Sequence, residues 1–371
     1  MSKTHEPPRK PKNQPLRQGW TTGACATGAA AAAYRALRTG SFAGSVTITL
    51  PRGQTPTFDL KTKDLRDSCA TAGIVKDAGD DPDVTHGLEI IVTLTPATPG
   101  DGVQFRAGPG VGTVTLAGLP LNVGEPAINP GPRAQIQAAL LAVAQDLDGP
   151  DARLPDVTVE VTIPKGEETA QQTMNPRLGI VGGLSVLGTT GIVVPFSCSS
   201  WIHSIHRGVD VARAAGLSHV LAATGRTSEH AANTVLQFED QALIDMGDFA
   251  GGLLKYLRGH PVDKLTIAGG FAKMTKLAQG AMDLHSSRSR VDFERLANAL
   301  DHVGGGPEAV REARETVTAM RVLQLAGPLS NALATHMARQ AREVALATLA
   351  GGTEVEIWIY DRDGTRIGLS S

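Results

Sequence analysis

The chain has 371 residues, 41% hydrophobic and 19% charged, which excludes a disordered chain and supplies apolar material for two cores. A formal net charge of −2, 4% aromatic residues and no dense basic stripe beyond the first dozen residues exclude a nucleic-acid surface. Three isolated cysteines, Cys25, Cys69 and Cys198, form neither a disulfide framework nor a zinc spacing and fit a reducing cytosol, and no apolar run reaches the ~20 residues of a membrane span.

Residues 1–15 read as a polar, proline-rich tail without the apolar centre of a signal peptide. The first ordered element begins at Gly19-Trp20-Thr21-Thr22-Gly23. Thr21 or Thr22 caps an alanine-rich helix over 24–37, and Gly40 ends it. Runs of Val, Ile and Thr at 46–50, 88–94, 103–106 and 157–163 predict strands, interrupted by a helix over 132–147. Residues 16–184 therefore read as an α+β domain on the substrate side.

From 185 to 371 the rhythm changes. Short apolar runs at 192–194, 219–223, 242–246 and 265–268 alternate with helix-like segments over 200–215, from 227, through 257, and over 272–282. Strands closed by glycine and followed by helices predict a mostly parallel sheet with crossover helices. Helices then dominate to 349, and 354–360 is a final strand. No internal repeat of fixed period is present.

Several segments present chemistry. Gly108-Pro109-Gly110-Val111-Gly112 imitates a dinucleotide loop, but a β-branched run follows it where that fingerprint needs a helix, so a turn between strands is the better reading. Lys76-Asp77-Ala78-Gly79-Asp80-Asp81-Pro82-Asp83 packs four carboxylates without EF-hand spacing; it is either a solvated turn or a loop that accepts a proton or binds a polar substrate. Prolines at 126, 130 and 132 stiffen a loop carrying Glu125, Asn129 and Arg133, a structural corner or a carboxylate clamp. Asn175-Pro176-Arg177 leads through a glycine-rich stretch to Gly188-Thr189-Thr190-Gly191, a hinge or a ligand loop. In an open parallel sheet ligands bind beyond the carboxyl ends of the strands, and Gly225, Gly269 and Gly270, beside Lys273, are expected on one rim with that loop. The histidines lack metal-ligand spacing, and His285 is the one placed after a crossover helix. No phosphate loop and no nucleophile elbow is present.

The ordered series Gly19-Trp20-Thr21-Thr22-Gly23-Ala24-Cys25-Ala26, Val75 through Thr85, Gly110-Val111-Gly112, Gly124 through Pro130, Asn175-Pro176-Arg177-Leu178-Gly179-Ile180 and Gly188-Thr189-Thr190-Gly191-Ile192-Val193 resembles the CbiD family over roughly residues 16–290. One departure is Gly269-Gly270-Phe271-Ala272-Lys273, where that family usually carries Gly-His and then Gly-Lys. The resemblance implies methylation of C1 of cobalt-precorrin-5B by S-adenosylmethionine in anaerobic cobalamin synthesis. It also implies a Rossmann-like α/β domain beside the α+β domain, and a cytoplasmic enzyme whose cobalt arrives inside the corrinoid substrate. No nucleic acid, membrane or protein-bound metal is expected, and a homo-oligomer is compatible with all of this.

On that resemblance the donor falls to Gly188, Thr189, Thr190, Gly191, Gly225, Gly269 and Gly270. The corrinoid and its carboxylates fall to Thr21, Thr22, Lys76, Asn129, Arg133, Asn175, Arg177, Lys273 and His285. Any acid falls to Asp77, Asp80 or Asp81. The competing reading is a non-catalytic carrier of an anionic tetrapyrrole.

Overall fold

The computed structural model describes residues 15–371, so the expected tail lies outside the described residues except for Pro15. The chain is a mixed α/β protein that divides into two compact units, 1–198 and 199–371. The division falls after Cys198 where the sequence placed it after Leu184. The reason is pairing: Gly183–Leu184 lies parallel to Gly110–Val111, and Ile192–Val193 pairs antiparallel with Gly19–Trp20, so both stay with the first unit.

The first unit is organised around the helix Thr22–Thr39. Eight of its residues are alanine, and Ala24, Ala26, Ala29, Ala30, Ala33 and Ala36 are fully buried. Small side chains on every side let it pack closely on a sheet and on the helix Pro130–Asp148 at once. Gly40, with φ +80°, closes it and donates its N–H to Ala36.

The sheet has the order Thr62–Arg66, Cys69–Val75, Glu89–Pro96, Val157–Thr162, Val103–Ala107, antiparallel except for the last pair. Alternate residues Ile90, Val92 and Leu94 are fully buried, and Val159 lies opposite Leu94. The segment expected as a strand over 46–50 forms only Ser45–Thr47, in a separate ribbon with Thr57–Asp59.

In the second unit the order is Leu243–Asp245, His219–Ala223, Lys264–Gly270, Glu354–Tyr360, Arg366–Ser370. The first four strands are parallel and the last is antiparallel. The two faces are unequal. Val220, Ala222, Leu265, Ile267, Val355, Ile357 and Ile359 enter a large core with the helices Ala250–Leu257, Phe271–Ala278, Phe293–His302 and Ser330–Leu349. Leu221, Ala223, Ala268, Trp358 and Tyr360 face the other way, under the helix Arg226–Leu236.

Ala33→Leu would force extra methylenes into a core that the alanine helix fills on all sides. A loss of about 1–3 kcal/mol in urea unfolding is expected, and an unchanged midpoint would contradict the close packing described.

Candidate functional site

The first cluster surrounds the amino end of the helix Thr22–Thr39. Its first turn carries no acidic side chain, so backbone and hydroxyl oxygens satisfy the free N–H groups. Thr21 Oγ1 accepts from Ala24 N–H at 3.1 Å, and Leu187 O accepts from Gly23 N–H at 3.0 Å. Thr21 N–H donates to Gly191 O at 3.0 Å. Gly188 has φ +121°, and a Cβ there would overlap Thr21 Oγ1. Gln135 Nε2 donates to Gly188 O at 2.8 Å and to Thr189 O at 3.2 Å. The loop Gly188-Thr189-Thr190-Gly191 is thus a fixed lid on a helix terminus.

The acidic segment is knitted to the same cluster. Trp20 N–H donates to Asp77 O at 2.7 Å, and Gly19 lies so close to Ala78 that a methyl group would overlap its carbonyl carbon. Each carboxylate is committed. Arg17 forms a two-pronged pair with Asp77, Nη2 lying 2.9 Å from Oδ1 and Nη1 on Oδ2. The Arg17 backbone N–H meets Asp80 Oδ2 at 2.6 Å. Asp81 Oδ1 accepts from Phe196 N–H at 2.7 Å, and Asp83 holds Lys76 Nζ at 2.6 Å. The Arg17 guanidinium holds the Asp77 carboxyl at about 2. Burial pushes Asp81 upward, while Cys25, buried in the helix's first turn, is pushed up to about 12 by the same cause.

Several cations nominated from the sequence prove to be engaged. Lys76 is only 1% exposed, in the interior rather than presented to a substrate. Arg133 donates to Glu125 Oε2 and to Ile128 O, both at 2.7 Å, on the wall of a concavity of about 410 Å³ that Leu119, Leu121, Asn122 and Gln137 also line. Asn129 opens the helix Pro130–Asp148 without a side-chain cap. Asn175 is buried, bridging Gly183 O and the Ser185 hydroxyl, and Arg177, in the turn Pro176–Leu178, is likewise engaged. Thr22 is buried in the helix.

The second cluster, with Gly225, Gly269 and Gly270, lies in the second unit, whereas Gly188–Gly191 belongs to the first. The strand His219–Ala223 leads through the helix Arg226–Leu236 to the outer strand Leu243–Asp245. The chain then returns through Ala250–Leu257, on the opposite face, to Lys264–Gly270. The winding reverses between those two central strands, and Gly225 and Gly270 open the helices that follow them. A Cβ at either glycine would meet nothing within 4 Å, whereas one at Gly269 would strike Thr224 and Met274. Gly269 thus closes the strand ends together, and Gly225 and Gly270 border free space. Lys273 Nζ bridges Thr224 O at 2.8 Å and Asp248 Oδ1 at 3.0 Å. His285 lies in an exposed turn after Leu284, whose N–H donates to Asp248 O at 2.8 Å, and its Nδ1 is 2.8 Å from Ser287 Oγ.

Among the described residues no group of three His, Cys, Asp or Glu is placed to hold a metal, and no described helix is long and apolar enough to cross a membrane. The sequence reading missed Arg17, Gln135, Phe196 and Asp248. Arg17 stood at the edge of the expected tail, and nothing in the local pattern marked the other three.

The family model described as CbiD matches residues 9–195, and the one described as CbiD, C-terminal domain, matches 283–371. The cobalt-precorrin-5B C(1)-methyltransferase of Brucella anthropi is 57% identical over 351 residues, 94% of each chain. That of Bradyrhizobium sp. BTAi1 is 55% identical over 359 residues, 96% of this chain and 94% of the relative. A crystal structure of cobalamin biosynthesis protein (cbiD) from Archaeoglobus fulgidus is 26% identical, with a TM-score of 0.40, covering 74% of this chain and 83% of that one. The chain belongs to the CbiD family. The likeness extends past residue 290, where the sequence resemblance weakens, into the final strands.

The Asp77 carboxyl lies below the ordinary carboxylate range, so the stability from its pair with Arg17 is complete above that range and is lost as pH falls through about 2. Arg17→Met is expected to return Asp77 to an ordinary carboxylate pKa and to move acid unfolding to a slightly higher pH. An Asp77 resonance titrating unchanged in the variant would refute the pairing.

Proposed function

We propose that this chain methylates C1 of cobalt-precorrin-5B with S-adenosylmethionine, giving cobalt-precorrin-6A. The observation that carries this reading is identity of 55% to proteins of that name along 96% of the chain. The second unit supports it with a Rossmann-like arrangement: parallel strands, a winding reversal, and bare glycines at two helix starts beside the carboxyl ends of the strands. The three free cysteines fit the cytosol as its compartment.

The donor is assigned to Gly225 and Gly270, where a side chain would fill the space the ligand needs. Backbone N–H groups at the two helix starts would face its polar groups. S-adenosylmethionine bound there supplies a methyl group on a sulfonium, which passes to the ring carbon as the S–C bond breaks and a C–C bond forms from the ring's conjugated electrons. The chain's contribution is alignment and exclusion of water rather than a covalent intermediate. The corrinoid is assigned to the first unit, with Arg133 on the wall of the concavity and Thr189 exposed on the fixed loop. Gly188 and Gly191 move from donor contacts to the support of that loop.

Anaerobic incubation with enzymatically prepared cobalt-precorrin-5B and methyl-labelled S-adenosylmethionine is expected to place one labelled methyl on the ring by mass spectrometry. No transfer, with folded protein and intact substrate, would favour the carrier reading. A separate check addresses the donor site. Gly270 has φ −70°, which any residue adopts, so Gly270→Val is expected to fold normally. It should weaken S-adenosylhomocysteine binding by at least about tenfold in calorimetry, the equivalent of ~1.4 kcal/mol. Wild-type affinity in that variant would remove the donor from this rim.

A further inference from the structure

Prolines at 126, 130 and 132 fix the path from Gly124 into the helix Pro130–Asp148 and place Arg133 in its first turn, where its backbone N–H donates to Asn129 O at 3.1 Å. The guanidinium is then held by four neighbours. Nε donates to Ile128 O at 2.7 Å, and Nη2 donates to Glu125 Oε2 at 2.7 Å and to Pro126 O at 3.3 Å. The guanidinium carbon lies 5.4 Å from the centre of the Phe105 ring. A guanidinium has donors on all three nitrogens, yet Nη1 meets no acceptor among the described residues. Arg133 is fixed in place with one nitrogen to spare.

Glu125 is fixed as well, its Oε1 accepting from Asn122 Nδ2 at 2.8 Å. The side chains of Arg133 and Glu125 are 24% and 32% exposed, so the pair is open to a ligand while its charges are only partly screened.

The concavity beside this pair suits a small part of a large molecule. Its volume of about 410 Å³ lies near the lower end of the roughly 300–1,000 Å³ that drug-sized ligands fill. A tetrapyrrole with its side arms exceeds that size, so the ring stays outside and one arm enters. Leu119, Leu121, Pro130 and Ala134 form apolar walls, and Arg133 and Gln137 add donors. A methylene stem ending in a carboxylate complements both, the stem against the walls and the carboxylate on the guanidinium.

We propose that this concavity receives one carboxylate-ended side arm of the corrinoid, bound through Arg133 Nη1, with Glu125 as a resident carboxylate that limits the arm's affinity. The inference rests on the function proposed above. Glu125 engages Nη2 and leaves Nη1 to the ligand, but its charge also repels the arriving carboxylate. Arg133 and Glu125 therefore act on substrate affinity in opposite directions, although they form one ion pair.

The test compares Arg133→Met, Arg133→Lys and Glu125→Gln with the wild-type full-length chain. For each, the Kd of cobalt-precorrin-5B is measured by absorbance titration without the methyl donor, together with KM, kcat and thermal midpoint. Arg133→Met keeps an apolar stem beside Phe105 and is expected to raise Kd and KM about tenfold or more, the scale of a hydrogen bond to a charged group. Its kcat should stay within about twofold, because an arm held away from the reacting carbon is bound equally in ground and transition states. Arg133→Lys should fall between, since an ammonium keeps the charge without the fork. Glu125→Gln is expected to lower Kd about two- to fivefold, the scale of one half-exposed charge interaction.

A Kd unchanged in Arg133→Met overturns the inference. So does a Kd that rises in both Arg133→Met and Glu125→Gln, which is the result a purely structural corner gives. Either outcome leaves the methyltransferase reading intact where the wild type transfers the methyl group. Binding without transfer in the wild type overturns that reading, while the comparison of Kd values still decides this one. A folded wild-type chain that does not bind the corrinoid overturns both.

Discussion

The first unit depends on the buried amino end of the helix Thr22–Thr39. A buried N–H without a partner costs about 1–3 kcal/mol, and this helix begins with no acidic side chain to supply acceptors. Thr21 provides one acceptor and the Leu187 carbonyl another, which ties the segment 187–191 to the helix as firmly as the helix's own turns. The bare Cα atoms at Gly19 and Gly188 follow from that geometry, because the acidic segment and the glycine loop must both reach the same terminus. A loop rich in glycine is here among the least free parts of the unit. Its glycines serve close approach rather than motion.

The second unit answers a different constraint. Its parallel strands are buried on both faces, but the two covers are unequal, with several helices on one side and Arg226–Leu236 on the other. Where the winding reverses between them, the two helices that start at Gly225 and Gly270 diverge to opposite faces and leave space between their first turns. The side chains around that space divide by role. Gly269 closes the strand ends, while Lys273 and Asp248 form an ion pair at 3.0 Å.

Much of this was legible in the sequence where a local signal was strong. The alanine run with threonine before it and Gly40 after it specifies its helix. The glycine-closed apolar runs at 219–223 and 265–268 specify parallel strands, and both form with bounds close to those expected. Cys69–Val75 was not legible because its residues are small: Ala70, Ala72 and Gly73 pack under an alanine helix, where bulk would be excluded, so the strand lacks the β-branched signature. Thr62–Arg66, an edge strand of alternating charge, looked like a loop for the opposite reason. The candidate site was legible as segments but not as roles. Spacing cannot tell that Lys76 points into the interior towards Asp83, or that Arg133 already holds Glu125, because each partnership depends on side-chain direction.

These partnerships bear on how a substrate rich in carboxylates is held. Four aspartates in seven residues would repel such a molecule if they stood free. Instead Asp77 and Asp80 are joined to Arg17, Asp83 to Lys76, and Asp81 to a backbone amide. Pairing removes most of the repulsion, but it also removes Lys76 from use as an anion clamp. With a net charge of only −2 on the whole chain, long-range steering in either direction is weak. On the proposed assignment of the corrinoid to the first unit, affinity there comes from shape and apolar contact near the fixed loop as well as from Arg133. There Leu187 and Val194 are each about half exposed.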